Sequence, residues 1–272
     1  MGDRSLFESV PMRRLVMPVA VLAACIFASK VYPIITSHNQ PESFYLELGL
    51  AYPSLAHLNL PTPVGVPDGE GTLIAPRWVL TAAHVGVELE PGHRITVAGA
   101  DYPVDSVIIH PEWDDGPNDL ALVKLSRPVE GVAPARLYRG SNEVDQLIAI
   151  AGYGDFGTGL TGPVDNDHQV RGATNRIDQA SDFWLKFAFD PPGSERTTPL
   201  EGVSGPGDSG GPAFLYGVDH QILVGVSSGQ STRATGGKPG RYGVVEYYVR
   251  VSRYVEWIEG TIGSPAGATH HA

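Results

Sequence analysis

A chain of 272 residues with 42% hydrophobic content can bury one large core, or two small ones wrapped together. Its formal charge of −11, with no basic block to offset it, argues against a phosphate-tracking surface and so excludes nucleic acid as a partner. Its one cysteine, Cys25, rules out an intrachain disulfide and a thiolate metal cluster. The 33 glycines and 23 prolines favour short strands joined by tight loops over long helices.

From the N-terminus, Arg13 and Arg14 precede an apolar run, Leu15 to Ala24, of signal-peptide length and too short for a comfortable membrane span. Residues 1–29 therefore read as an export segment, and the product is expected outside the cytoplasm, whether secreted, periplasmic or envelope-anchored. Leu22-Ala23-Ala24-Cys25 also fits the bacterial lipobox, in which an acylated Cys25 would anchor the chain to lipid. The alternative is ordinary cleavage after Ala28 or Ser29. Residues 30–68, rich in Pro, Ser, Leu and Tyr, read as a lead-in.

Short apolar runs then recur between turn signals. Leu73-Ile74, Trp78 to Leu80, Ile95 to Val97, Val107 to Ile109 and Ala121 to Val123 form one series, and predict strands of a β-barrel over 69–138. Leu147 to Ala151, Leu185 to Phe189, Ala213 to Tyr216 and Ile222 to Val226 form a second, over 139–250. The hinge falls near Leu137-Tyr138-Arg139-Gly140. Val251, Tyr254, Val255 and Ile258 recur at helical spacing, predicting a C-terminal helix over 251–262 that Gly260 helps to stop. Residues 263–272 read as a disordered tail, with His270-His271 part of it rather than metal ligands.

The strongest chemical signal is Gly207-Asp208-Ser209-Gly210-Gly211-Pro212. A serine hydroxyl needs an adjacent base to act as a nucleophile at neutral pH. Flanking glycines let the chain turn tightly enough to aim amide N–H groups at a developing oxyanion. Alone, the pattern is usually a turn. Thr81-Ala82-Ala83-His84 puts a histidine just past a strand end, however, and Asp119-Leu120-Ala121-Leu122 puts an acid at the head of another apolar run. His84, Asp119 and Ser209 in one chain supply base, acid and nucleophile.

These segments resemble the trypsin/chymotrypsin family over about residues 69 to 260. The match runs through Gly71 to His84, the Asp119 segment, the Ser209 hexapeptide, Val226-Ser227-Ser228-Gly229, and Tyr247 to Ile258. The resemblance implies an all-β fold of two six-stranded antiparallel barrels with a C-terminal α-helix, and a cleft holding the triad. It implies a serine endopeptidase acting on protein or peptide substrates without a cofactor. The backbone N–H groups of Gly207 and Ser209 would form the oxyanion hole. Ser227 would support Asp119, and Ser227 to Gly229 would pair with substrate backbone. The chain departs from the family in lacking its disulfides, with Gly205 and Pro206 where one would lie beside the nucleophile loop. Ser228 replaces a common tryptophan, and the usual Ile-Val-Gly-Gly start is missing.

Two rival readings are weaker. An α/β-hydrolase would need the order Ser, Asp, His, and after Ser209 only Asp219-His220 and the tail histidines remain. A non-catalytic binding module on a protease scaffold would typically have lost a triad residue, and none is lost here.

By family position, Val203 and Ser204 fall at the base of the pocket for the P1 residue, the substrate residue preceding the scissile bond. Val203 argues against a basic P1 side chain. A gap-free match puts Glu246 on the pocket lining, where it would receive Arg or Lys; a register change in the loop around Thr235 to Gly243 would instead leave it on the surface. Asp208 matches a buried acid that pairs with a freed N-terminal amine. Cleavage before Ile34 or Ile35 would supply that amine. If another donor holds Asp208, active enzyme is expected to begin between residues 25 and 33.

Overall fold

The computed structural model describes residues 34–60, 69–218 and 220–263. The export segment with Cys25, every processing site proposed before Ile34, and the His270-His271 tail lie outside the described residues.

The first barrel closes completely. Around it run Leu55–His57, Glu70–Ala75, Trp78–Thr81, Ala121–Leu125, Ala100–Ile109 and Arg94–Val97, each antiparallel to its neighbours. Apolar side chains such as Ala56, Leu73, Val79, Ile95, Val104 and Leu122 fill its interior. Closure leaves no free strand edge, which suits a chain that cannot cross-link its sheets by disulfides.

The second unit is a half-barrel of eight strands, in which Gln179–Ala180 pairs at the far edge with Trp184–Ala188 and Arg136–Leu137 pairs in parallel with Ile222–Ser231, leaving six longer antiparallel strands. Their order is Arg171–Arg176, Leu147–Gly152, Pro212–Leu215, Ile222–Ser231, Val245–Arg250 and Trp184–Ala188. Ile148, Ile150, Phe187, Ala213, Val224 and Tyr248 make its core. A smaller sheet runs Gly162–Asp165, Phe156–Thr158, Ile34–Thr36 and Gly202–Val203, joined to the half-barrel by a bridge between Thr174 and Glu201. The described residues end in the α-helix Val255–Gly263, which follows a single 3-10 turn at Val251–Arg253. The four residues at helical spacing, Val251, Tyr254, Val255 and Ile258, are all buried. This is the chymotrypsin-like architecture that the resemblance implied, with its second barrel open.

The described part of the segment read as a lead-in is folded into both units. Leu55–His57 is a strand of the closed barrel, and Ile34–Thr36 pairs with Phe156–Thr158 on one side and Val203 and Gly202 on the other. Between them runs the helix Glu42–Leu50. Its pattern hid it, because Phe44 and Leu50 are exposed while Tyr45 and Gly49 are buried. Gly49 lies so close to the sheet that a Cβ there would stand 2.6 Å from the Arg171 backbone. Arg171, fully buried, ion-pairs with Glu42 and Asp167 and so fastens the helix to its strand. No helix among the described residues is long and apolar enough to cross a membrane.

Candidate active site

The strand Trp78–Thr81 ends against the core, and the chain then turns through the short helical segment Ala83–Gly86, which presents His84. The imidazole is about a third exposed, its side chain at 37%. Facing it, Asp119 sits at the head of strand Ala121–Leu125 and is 3% exposed. Asp119 Oδ1 accepts the His84 backbone N–H at 2.9 Å, and Oδ2 accepts the Nδ1–H at 2.7 Å. Burial alone would raise the Asp119 carboxyl, but its bonds to the His84 ring, the Ser228 hydroxyl and the His84 amide outweigh that and hold it below the ordinary value. Asn118, one residue earlier, has φ 69° and is pinned by the Tyr254 hydroxyl, which donates to its side-chain oxygen at 2.9 Å.

Ser209 is positioned by the contacts of its neighbours. Gly210 has φ 82° and packs so tightly that a Cβ would stand 2.1 Å from Thr81 Oγ1, beside the strand that leads to His84. The Ser209 carbonyl accepts the Glu70 amide at 2.7 Å. Gly210 N–H donates to the Ser227 carbonyl and Ser227 N–H to the Gly211 carbonyl, each at 2.8 Å. The Ser209 loop is thus stitched to both units. Within it the amides of Asp208, Gly210 and Gly211 are all spent on protein acceptors. Those of Gly207 and Ser209 donate to no acceptor among the described residues. Gly207 needs its glycine, since its φ is 98°.

The serine that supports the acid is Ser228, not Ser227: Ser228 Oγ donates to Asp119 Oδ2 at 2.6 Å. A bulge between Ser227 and Gly229 leaves Ser228 without a partner across the strand pair and turns it toward Asp119. Ser227 is buried instead beside the Ser204 hydroxyl.

Asp208 is 1% exposed, and two backbone amides meet it: Gly154 N–H donates to Oδ1 at 2.8 Å and Gly205 N–H to Oδ2 at 2.7 Å. Burial, with the nearby charge of Glu70, still raises its carboxyl well above the ordinary value. Where the family disulfide would lie, the Asp155 amide donates to the Pro206 carbonyl, and Gly205 leaves no room for a side chain, since a Cβ there would stand 1.8 Å from the Asp155 carbonyl oxygen.

Beside Ser209 opens a cavity of about 170 Å³ lined in part by Ser204, Ser209, Ser227, Gly229, Gln230 and Glu246. Ser204 bonds the buried Tyr248 phenol at 2.5 Å. Glu246 is wholly buried on its wall, and burial pushes its carboxyl up to about 8, with Gln230 and Ser204 only partly offsetting this. Val203 faces the second core and does not line the cavity. Nothing local in the sequence marks Gln230, because its place depends on the loop that carries Gly240. A larger cleft of about 540 Å³, lined by Tyr52, Arg136 and His220 among others, holds none of the residues predicted for the site. Among the described residues no cluster of three His, Cys, Asp or Glu could hold a metal.

The family model described as Trypsin matches residues 56–258. The chain is 31% identical over 211 residues to serine protease SP24D of Anopheles gambiae, covering 71% of each. It is 31% identical over 215 residues to a trypsin of Squalus acanthias, covering 71% of this chain and 85% of that one. In fold it is similar to the solved structure of neuropsin, a serine protease expressed in the limbic system of mouse brain. That match has a TM-score of 0.60 at 21% identity and covers 79% of this chain and 96% of that one.

Proposed function

The chain belongs to the trypsin family of serine endopeptidases, and from that premise we propose that Ser209, His84 and Asp119 hydrolyse peptide bonds through an acyl-enzyme. Ser209 Oγ attacks the scissile carbonyl while His84 Nε2 takes its proton, and the imidazolium returns that proton to the leaving amine. Water then attacks the acyl ester by the same route in reverse, releasing the acid and restoring Ser209. Asp119 fixes the Nδ1–H tautomer and stabilises the imidazolium. The Gly207 and Ser209 amides receive the oxyanion, a role in which one donor is worth on the order of 10²–10³ in rate.

The observation that carries this reading is the pair of bonds from His84 to Asp119, one from the ring and one from the backbone. They leave Nε2 as the acceptor on a ring about a third exposed. Labelling with a fluorophosphonate tests it: wild type should be labelled on Ser209, and Ser209→Ala should not be labelled. Unlabelled wild type would favour a binding module on a protease scaffold.

The cavity beside Ser209 is read as the P1 site, with Glu246 favouring Arg or Lys. Its support is a buried carboxylate in a cavity that the nucleophile itself lines. The substrates are proteins or peptides. The export segment at residues 1–29 supports action outside the cytoplasm, with Cys25 as the point of lipid attachment if the lipobox is processed.

A further inference from the structure

The carboxylate in the cavity read as the P1 site already has a partner, and that partner belongs to the chain itself. Gln230 and Glu246 are register partners on adjacent antiparallel strands, so their side chains share one face of the sheet. The Gln230 carboxamide lies over Glu246: its Nε2 donates to Glu246 Oε1, and its Oε1 accepts the Gly240 N–H at 2.8 Å. Gly240, with φ 60° and Ile35 packed against it, belongs to the loop that forms the facing wall. The carboxamide thus bridges the cavity from one wall to the other. The second carboxylate oxygen, Oε2, is buried and accepts no hydrogen bond among the described residues.

A carboxamide NH₂ is the neutral counterpart of a cationic head group. It presents N–H donors to a carboxylate, as a guanidinium or ammonium would, but carries no charge. We propose that Gln230 is a specificity-determining residue that holds, in the empty enzyme, the place on Glu246 which a cationic P1 head group takes in the complex. A basic side chain binds by displacing the Gln230 carboxamide from Oε1, and the Gly240 amide loses its acceptor in the exchange. A guanidinium or amidinium fork replaces the lost donor and also reaches Oε2, which Gln230 leaves unfilled. Small apolar P1 side chains do not reach Glu246 and leave the bridge closed. Gln230 therefore raises the threshold for basic substrates and favours a forked head group over a single ammonium.

The inference rests on the P1 reading of this cavity, and the test separates the two. Benzamidine, an amidinium of fitting size, serves as the probe. Its inhibition constant is measured at pH 8.5 on wild type, Gln230→Ala, Gln230→Ser and Glu246→Gln, each checked for an intact melting transition. Arg-over-Ala selectivity in kcat/KM is measured in parallel on peptides that differ only at P1. Removing the internal competitor frees one of two modest hydrogen bonds, so Gln230→Ala and Gln230→Ser should each bind benzamidine about tenfold more tightly. Their Arg-over-Ala selectivity should rise by a similar factor, through KM rather than kcat. Glu246→Gln should lose most of the benzamidine affinity. If Glu246→Gln leaves that affinity unchanged, the P1 reading falls and this inference with it. If Glu246→Gln weakens binding but neither Gln230 variant tightens it, the P1 reading stands and Gln230 is not a competitor.

Discussion

Asp119 holds His84 by both ring and backbone, its two carboxylate oxygens taking the Nδ1–H at 2.7 Å and the amide N–H at 2.9 Å. This grip sets which ring nitrogen carries the proton. An amide in place of the carboxylate would keep the shape but can offer an N–H where the ring needs an acceptor. Asp119→Asn should therefore fold normally and lose on the order of 10⁴ in kcat, measured on any cleaved peptide. A loss below about tenfold would mean that Asp119 does not set the tautomer.

Ser228 and Ser227 are neighbours with different partners, which makes them separable by mutation. Ser228→Ala removes a donor from the buried Asp119 carboxylate, a charge-assisted bond of 2.6 Å. We expect a fall in kcat/KM of roughly tenfold, because the Asp119 carboxyl loses one of the bonds that hold it low. Ser227→Ala should cost less. The reverse order, read from kcat/KM of the two variants, would return the supporting role to Ser227.

Ionisation of Glu246 should appear in substrate choice. Below its raised value of about 8 the carboxyl is neutral and offers a cation little, and above it the full charge is available. The ratio of kcat/KM on P1-Arg to that on P1-Ala should climb as pH rises through 8, since ionisations outside the cavity are common to both substrates and cancel. In Glu246→Gln the ratio should be flat with pH.

Stability should fall over the same range. Burial raises Glu201 to about 7, Glu246 to about 8, and Asp208 well above its ordinary value. A carboxyl raised in the folded state stabilises fully below its unfolded value, and that contribution is lost as pH rises through the folded value. The melting temperature should therefore decline from about pH 4.5 to pH 8. Glu201→Gln should reduce the decline if Thr198, Asn175 and Asp190, which bond Glu201, accommodate the amide. A melting temperature that rises over this interval would show these carboxyls ionised in the fold.

The parts of the site that were legible in the sequence are those carried by one short segment each. His84 ends a strand, Asp119 begins one, and Ser209 sits in a glycine-rich turn, so local chemistry and local structure coincide. What stayed hidden depends on distant pairing. Leu55–His57 is too short to announce a strand, and its partners Gly71 and Val97 are far along the chain. The Ser227-for-Ser228 error is one residue wide and comes from a bulge that no periodicity marks. Gln230 reads as an ordinary exposed polar residue until the loop closes and Gly240 reaches it. Glu246 was reachable only through alignment, because nothing local in Val245-Glu246-Tyr247 signals a carboxylate buried in a cavity.

The central claim is that Ser209 and His84 act as one unit, and the double mutant tests it most directly. Ser209→Ala removes the attacking oxygen and His84→Ala removes the base, so either alone should abolish peptide hydrolysis down to the residue left by the oxyanion hole and binding. Peptide hydrolysis is measured for both single variants and for Ser209→Ala/His84→Ala, with melting curves to confirm an intact fold. The triad predicts a double variant little slower than either single one. Losses that multiply would mean that the two residues act independently, and would contradict the assignment of nucleophile and base.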